Sequence, residues 1–411
     1  MKASHRLLWT LIDQGLSSSG NFGIALVAAR SLGASGFSAF SISFLVYVVS
    51  IGLTYSFVGE PFQVLHSSSP QDQNMFLVQK GALGLALLMS VLMAFLVSLL
   101  GVGIGGVLEA PMVVVGFILP GLLIQDSMRH FFFAQARPAR AAFIDFIWLA
   151  AMVLALLGLS ESQIGLHSPA ALLAVWGASA AFSSVVGLLV IRIAPSVARS
   201  ASWYRESKNL GWNFSLDFLF MTGAAQIVVL LLPLIVGLDA VGALKGAQLM
   251  FGPITILISG LRALGVPEAS RHASEGHEFL FRFTKILAGS ITVMVLAYSV
   301  LILTLPDSVA EFFLGASQAG SSPLLPFVAL DMLGRALALA PFVSLRAMGS
   351  GDRILRARAI DAPSTLMLGL AGALIGGAEG AAAGLGSANI LVAGAWWRQF
   401  VRAIEGREVA G

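Results

Sequence analysis

The segment TLIDQGLSSSGNFGIALVAAR, residues 10–30, decides how this chain is interpreted. It is long enough to cross a bilayer, since a spanning helix needs about 20 mainly apolar residues. Its first half nevertheless carries Asp13, Gln14, three serines and Asn21. At about 100° per residue, Asp13, Ser17 and Asn21 lie on one side of a helix. A polar stripe on one face of a span points to protein or water rather than to lipid.

The composition of the whole chain is that of an integral membrane protein. Its 411 residues are 57% hydrophobic and 11% charged, whereas soluble globular proteins have about 25% charged residues. There is no cysteine, which excludes disulfides, thiolate metal sites and thiol catalysis. The first apolar stretch is full-length and lacks a small-x-small cleavage site, so we expect a retained signal-anchor.

Twelve segments have the length and hydrophobicity of membrane spans, and the loops between them are too short to hold a soluble domain. The sequence therefore predicts an all-α polytopic membrane protein with about twelve transmembrane helices. The predicted spans are about 8–30, 38–60, 78–100, 111–134, 141–159, 168–192, 210–236, 240–264, 284–305, 323–345, 359–377 and 381–399.

Basic residues set the predicted orientation. With the N-terminus inside, all but three of the 24 Lys and Arg residues fall in cytoplasmic loops or helix ends. The exceptions are Arg30, Lys245 and Arg335. We predict a multi-pass protein of the cell (inner or plasma) membrane with both termini cytoplasmic.

The two halves of the sequence resemble each other. Offsets of about 204 to 206 residues, with one insertion, align acidic and basic residues of the two halves in order. The aligned pairs are Asp13 with Asp217, Arg129 with Arg335, and Asp145 with Asp361. Repeats with six spans each share one topology, and such transporters place the substrate path between the repeats.

The duplication predicts two pseudo-symmetric six-helix bundles around a central cavity. We place the N-terminal bundle at 1–192 and the C-terminal bundle at 210–411, joined by a basic cytoplasmic linker at 193–209.

Asp13 and Asp217 are candidate coupling residues. An ionised Asp near the middle of the membrane is unfavourable by about 2.5–3.5 kcal/mol, so Asp13 is expected to be paired, protonated or hydrated. It either lines a cavity open to the cytoplasm and titrates during transport, or forms a salt bridge or helix cap inside the N-terminal bundle. Asp217 has the same two alternatives.

Span 8 carries a second polar stripe. Its members are Lys245, Gln248, Thr255, Ser259 and Arg262. Lys245 either attracts an anionic headgroup or extends to the outer interface.

Arginines elsewhere have similar alternatives. Arg30 lies nearly opposite the Asp13 stripe at the end of its helix, which favours an interfacial anchor. Arg129 and Arg335 each have an Asp one turn earlier and another at the start of the next helix. This duplicated set predicts either buried clasps joining spans 4–5 and 10–11, Arg129 with Asp145 and Arg335 with Asp361, or substrate contacts.

The stretches IDQGLSSSGNFGIALVAARSLGASGFSAFSIS (12–43) and QDSMRHFFFAQARPARAAFIDFIW (125–148) resemble a known family. They are similar to the polysaccharide-biosynthesis (Wzx-like) flippases of the MOP superfamily, which also includes the MATE drug exporters. The resemblance implies two six-helix bundles enclosing a central cavity. It also implies export of a lipid-linked sugar whose diphosphate is recognised by cationic residues.

We therefore predict a secondary transporter, not an enzyme, that flips a lipid-linked oligosaccharide or polysaccharide precursor from the inner to the outer leaflet by alternating access. The expected partners are a lipid-linked sugar diphosphate and the bilayer, without nucleic acid, and the protein is expected to act as a monomer. No metal or cofactor is expected apart from a coupling proton or Na⁺ at Asp13 and Asp217. The predicted substrate contacts are Lys245, Arg335, Arg129, Arg30, Asn21 and Gln248.

Three alternatives remain. A cation-coupled antiporter of drugs or organic cations would use Asp13 and Asp217 as substrate carboxylates. A membrane sugar polymerase or ligase would need a larger outer loop than any in this chain. A structural scaffold would need only apolar spans.

Overall fold

The computed structural model describes residues 3–66, 75–161, 166–259, 261, 265, 269 and 276–408, and within them the chain is almost entirely helical. We number the helices α1 to α12 after the twelve predicted spans that fall on them. The first six are α1 Ala3–Ser31, α2 Ala34–His66, α3 Met75–Ile104, α4 Glu109–Ala134, α5 Pro138–Ser160 and α6 Pro169–Ile191.

The remaining helices are less regular. α7 runs from Val197 to Phe218, continues through the π-helical turn Leu219–Gly223, and ends with Ala224–Ile235. α8 consists of Leu238–Met250 and Gly252–Ser259, which are bent by 61°. The others are α9 His277–Leu303, α10 Leu325–Ala347, α11 at 351–375 and α12 at 378–408.

The predicted fold class, an all-α polytopic membrane protein, is confirmed. Eight of the described helical segments are long and apolar enough to cross a membrane, or nine if the bent pair in α8 is one span. Large apolar side chains such as Phe117, Leu234 and Ile375 are exposed on the surface. Helices suit this environment because they satisfy their backbone hydrogen bonds internally, where lipid offers no partner.

Contacts divide the chain into an N-terminal unit, Met1–Leu219, and a C-terminal unit, Phe220–Gly411. The predicted domain limits stay a prediction. Much of the segment predicted as a linker is helical, because α7 begins at Val197 and packs on α3. Ser196 N donates to Lys80 O at 2.9 Å. The close approach needs Gly81, where a Cβ atom would lie 2.8 Å from the Arg199 carbonyl oxygen.

Aromatic side chains fill the core of the N-terminal unit. Phe62 of α2 lies 4.0 Å from Phe131 of α4 and 5.8 Å from Trp203 of α7, measured between ring centroids. Trp176 of α6 packs edge-on against Tyr47 of α2 at 4.6 Å. These contacts fix α2, α4, α6 and α7 around the polar cluster described below.

In the C-terminal unit, α11 and α12 form a hairpin through small residues. The turn is at Gly376 and Gly377, and Gly377 has a φ of +61°, a conformation that Gly adopts at no steric cost. On either side, the backbones of Gly372 and Gly380 meet so closely that a Cβ on either would overlap the carbonyl oxygen of the other. Small residues permit such backbone contact between membrane helices.

A Gly380→Val substitution is therefore expected to destabilise the C-terminal unit by at least about 1–3 kcal/mol, the usual effect of overpacking. Thermal unfolding of the purified protein in detergent measures the effect. Gly394→Val on the same helix is the matched control, because nothing lies within 4 Å of a Cβ there. Equal losses in the two variants would contradict the packing argument.

Candidate functional sites

The N-terminal unit contains a buried ion cluster around Arg129 of α4. Arg129 Nη2 lies 2.7 Å from Asp13 Oδ2 of α1, and Nη1 lies 3.3 Å from Asp126 Oδ1. Its Nε lies 3.1 Å from Asp145 Oδ2 of α5. His130 joins the group, with Nε2 3.2 Å from Asp126 Oδ2. We call the other four residues, Asp13, Asp126, Arg129 and Asp145, the Arg129 cluster.

The carboxylates of this cluster are almost inaccessible to solvent. Asp13 is 1% exposed and Asp145 is 0% exposed. Gln125 Nε2 donates to Asp145 Oδ1 at 3.1 Å, whereas the buried Asp13 Oδ1 has no hydrogen-bond partner among the described residues. Arg129 Nε and Asp145 Oδ2 are close enough for an ion pair but are not aligned for a hydrogen bond.

The charges in the Arg129 cluster do not balance. Three carboxylates surround one guanidinium, so two negative charges are in excess when every Asp is ionised and His130 is neutral. A buried charge without a counter-charge is strongly unfavourable, so this arrangement favours uptake of a proton or a small cation. Among the described residues, no group of three or more His, Asp or Glu side chains is placed to hold a metal ion.

Local sequence explains half of this geometry. Asp126 and Arg129 are three residues apart on α4 and share one face. Asp145 lies in the second turn of α5, across the short turn that follows α4. Asp13 is brought to the same place by the packing of α1 on α5, where Gly20 lies against Trp148.

The structure therefore contains the predicted clasp between spans 4 and 5 and adds Asp13 to it. Of the two alternatives for Asp13, the salt bridge within the N-terminal bundle is the one observed. Arg129 is engaged by three carboxylates, so its positive charge is already more than neutralised.

Three other predicted residues of this unit lie outside the cluster. Asn21 Oδ1 accepts a hydrogen bond from Trp176 Nε1 at 3.2 Å and so ties α1 to α6. Arg30 is exposed at the last turn of α1, about 25 Å along the helix from Asp13 at 1.5 Å per residue. Asp217 is half-buried on α7, two residues before the π-helical turn.

The C-terminal unit contains a cavity of about 290 Å³ beside Arg335 of α10. Arg335 Nε donates to Asp331 Oδ2 at 2.9 Å, and Asn389 of α12 donates to the other oxygen of Asp331. Asp331 is buried, whereas the Arg335 side chain is 44% exposed. In the described part of the chain, this pairing through Nε leaves the terminal nitrogens of Arg335 without an ion pair.

Amide, hydroxyl, carboxyl and aromatic groups line the rest of the cavity together with aliphatic side chains such as Ile258 and Leu339. Thr365 Oγ1 donates to Asp361 Oδ1 at 3.3 Å, and the ring of Trp396 packs edge-on against Phe342 at 5.3 Å. The polar and aromatic lining residues besides Arg335 are Gln226, Thr255, Ser259, Phe342, Asp361, Thr365, Asn389 and Trp396.

The predicted clasp between spans 10 and 11 is corrected by the structure. In the described residues, Arg335 forms its ion pair with Asp331 on its own helix and not with Asp361 of α11. The physical reason is Asn389, which binds Asp331 from α12 and fixes the carboxylate beside Arg335. Asp361 lines the same cavity instead.

Lys245 and Gln248 are adjacent on the first segment of α8, where Lys245 Nζ donates to Gln248 Oε1 at 3.1 Å. The 61° bend of α8 follows them, and Thr255 and Ser259 beyond the bend line the cavity. The predicted stripe is thus divided by the bend. Its last member, Arg262, lies outside the described residues.

Sequence reasoning missed several residues of both sites. Gln226 and Asn389 line the C-terminal cavity, and His130 and Gln63 adjoin the Arg129 cluster. The available signal was an isolated polar side chain in an apolar helix, because such residues in membrane spans face protein or water.

Solved transporter structures share this fold. An inward-facing multidrug-resistance MATE family transporter of the MOP superfamily superposes with a TM-score of 0.73 at 14% identity, covering 99% of each chain. An outward-facing MATE structure of that superfamily gives 0.64 at 12% identity, covering 98% of this chain and 96% of the other. The lipid II flippase MurJ, in an inward closed conformation, gives 0.67 at 12% identity, covering 97% and 90%.

Neither a protein-family model nor a curated protein sequence matches the chain. The similarity to the solved structures defines the fold, that of the MOP superfamily transporters, over nearly the whole chain.

Proposed function

We propose that this protein is a secondary transporter that flips an anionic lipid-linked saccharide from the inner to the outer leaflet by alternating access. The fold supports the transporter class, because drug exporters and a lipid flippase share it. The Wzx-like resemblance in α1, α4 and α5 supports a saccharide substrate. The protein is proposed to act as a monomer in the cell membrane with both termini in the cytoplasm.

The pairing and exposure of Arg335 are the observation that supports an anionic substrate. Its guanidinium is held through Nε by a buried Asp331 and remains half-exposed at the cavity. A guanidinium binds phosphate oxygens through paired N–H donors, so its terminal nitrogens suit a diphosphate. Lys245 and Gln248 are the second proposed headgroup contact. Three other predicted contacts are less suited to this role. Arg129 is paired with three carboxylates, and Arg30 is exposed at the end of α1. Asn21 is bonded to Trp176.

The Arg129 cluster is the proposed coupling site. Binding of a proton or Na⁺ removes one of its two excess negative charges, which gives the cluster two states of different stability. A coupling ion acts by binding the two conformations with different affinity. Asp217 remains a second proposed coupling residue on the strength of the repeat.

Deleting the gene and analysing the lipids tests the substrate. We expect a sugar-diphosphate-lipid to accumulate in the inner leaflet, with restoration by the wild-type gene. An unchanged lipid pool would contradict the proposal.

A second candidate function is a cation-coupled antiporter of organic cations. It is favoured by Asp361, which places a carboxylate at the same cavity as Arg335. If that function is correct, the deletion strain becomes sensitive to cationic drugs and its lipid pool stays normal.

A further inference from the structure

We propose that His130 carries the coupling proton to the Arg129 cluster. This inference rests on the proposed coupling role of that cluster and adds a residue to which no role has been given above. It starts from the two ring nitrogens of His130, each of which has a different partner. Nδ1 lies 2.7 Å from Gln63 Nε2 of α2, and Nε2 lies 3.2 Å from Asp126 Oδ2.

These partners define the protonation state of the ring. The amide nitrogen of Gln63 is a donor, so Nδ1 must accept and the proton of a neutral ring is on Nε2, directed at Asp126. A second proton on Nδ1 would face the Gln63 amide nitrogen, donor against donor. The amide must then turn by about 180° to present its oxygen, so the orientation of Gln63 follows the charge of His130.

The ring is reachable and is held by an unusual piece of backbone. The His130 side chain is 17% exposed, and its ring centroid lies 4.3 Å from that of Tyr55. Tyr55 begins the π-helical turn Tyr55–Gly59 of α2, and a Cβ at Gly59 would lie 3.1 Å from His130 Cδ2. Such turns often occur at functional sites because they reposition side chains.

The charged groups around His130 are mostly those of the cluster. On its own helix it contacts Asp126, and Arg129 links it to Asp13 of α1 and Asp145 of α5. From α2, it meets the phenol ring of Tyr55 and the neutral amide of Gln63.

Further charged side chains on α2 are Glu60, which directly follows Gly59, and His66. His66 of α2 lies 3.4 Å from Glu206 of α7. The single charged residue of α3, Lys80, has its Nζ 4.3 Å from the centre of the Phe76 ring, and α6 has no charged residue. His130 therefore brings an imidazole, a side chain that can both accept and release a proton, into direct contact with Asp126 of the cluster.

The relay is balanced in protons. A hydronium ion gives a proton to Nδ1 as Gln63 turns and leaves as water, and the proton on Nε2 passes to Asp126 Oδ2. The ring is left neutral with its proton on Nδ1, and the cluster has gained one proton and lost one negative charge. Return of the proton to solvent reverses both transfers.

His130→Gln is the informative variant, because glutamine keeps an acceptor for Gln63 and a donor for Asp126 but cannot take up and release a proton. His167→Gln is the matched control, since His167 Nδ1 lies 3.0 Å from the Ser31 carbonyl oxygen at the other end of the N-terminal unit. Both full-length variants are reconstituted in liposomes with a fluorescent sugar-diphosphate-polyprenol and a lumenal pH dye.

We expect H130Q to slow proton-driven flipping by at least about ten-fold and to remove the pH dependence of flipping that the wild type shows. H167Q is expected to behave as the wild type. A rate and pH profile unchanged in H130Q, while the wild type flips lipid, would overturn the inference and leave the proposed function intact.

A second measurement does not depend on transport. Nitrogen-15 NMR of histidine-labelled protein in nanodiscs follows His130, which is assigned with H130Q. We expect a neutral ring protonated at Nε2 at high pH and a second proton on Nδ1 at low pH, with a different pH response in Asp126→Asn. If the liposomes show no flipping but this linkage is present, the relay is supported and the proposed substrate fails. A ring that stays neutral from about pH 8 to about pH 5 would overturn the relay.

Discussion

Replacing Arg129 by methionine is expected to destabilise the protein by about 3–5 kcal/mol, the effect of removing one partner from a buried ion pair. Three carboxylates would then face one another in a site where Asp13 and Asp145 are inaccessible to solvent. The free energy of unfolding is measured by denaturant titration in mixed micelles. Arg140→Met, at an exposed position on α5, is the control and is expected to change stability by no more than about 0.5 kcal/mol.

A rescue experiment separates charge from packing. Combining Arg129→Met with Asp13→Asn and Asp145→Asn removes two of the three negative charges, so much of the lost stability should return. If the triple variant is no more stable than Arg129→Met alone, the loss comes from packing, and the charge imbalance in the cluster does not govern stability.

Replacing Arg335 by glutamine is expected to weaken binding of a sugar-diphosphate-polyprenol by about 10- to 100-fold. That range corresponds to the loss of a charge-assisted hydrogen bond of about 1.5–3 kcal/mol. Arg335→Lys keeps the charge but loses the planar guanidinium that pairs with phosphate. Its affinity for the lipid should therefore lie between that of the wild type and that of Arg335→Gln. Binding is measured with the purified protein in nanodiscs.

The direction in which a second substitution changes binding affinity distinguishes the two candidate functions. Asp361→Asn removes the carboxylate that shares the cavity with Arg335, so binding of an anionic lipid should be unchanged or tighter. An organic cation such as tetraphenylphosphonium should bind less tightly if the cavity serves an antiporter. Arg398→Gln, an exposed position of α12 outside the cavity lining, is the control. Tighter cation binding in Arg335→Gln, with no effect on the lipid, would contradict the proposed substrate.

The helical fold was predictable because membrane spans are encoded locally. Each needs about 20 apolar residues, and within the described residues every predicted span falls on a helix. Interruptions of the helices were not predictable in the same way. The π-helical turns at Tyr55–Gly59 and Leu219–Gly223 lie inside segments that were each predicted as one continuous span, and their positions depend on the side chains packed against them.

The candidate sites were only half predictable. The spacing of Asp126 and Arg129 gives a pair on one helix face, and the short α4–α5 turn brings Asp145 close. Asp13 could not be assigned to that group, since its approach depends on how α1 packs. In the second half, the repeat predicted the same clasp. Instead, Asp331 accepts a hydrogen bond from Asn389 of α12 and pairs with Arg335, which stays at the cavity.

The proposed role of Arg335 is to present a positive charge to an anionic lipid substrate. Its most direct test is a flipping assay in proteoliposomes containing an NBD-labelled sugar-diphosphate-polyprenol, in which dithionite quenches the outer-leaflet probe. We predict that the wild type equilibrates the probe between leaflets under a proton gradient, that Arg335→Gln does not, and that tetraphenylphosphonium is not transported. Transport of tetraphenylphosphonium by both proteins, with the labelled lipid confined to its original leaflet, would contradict the account.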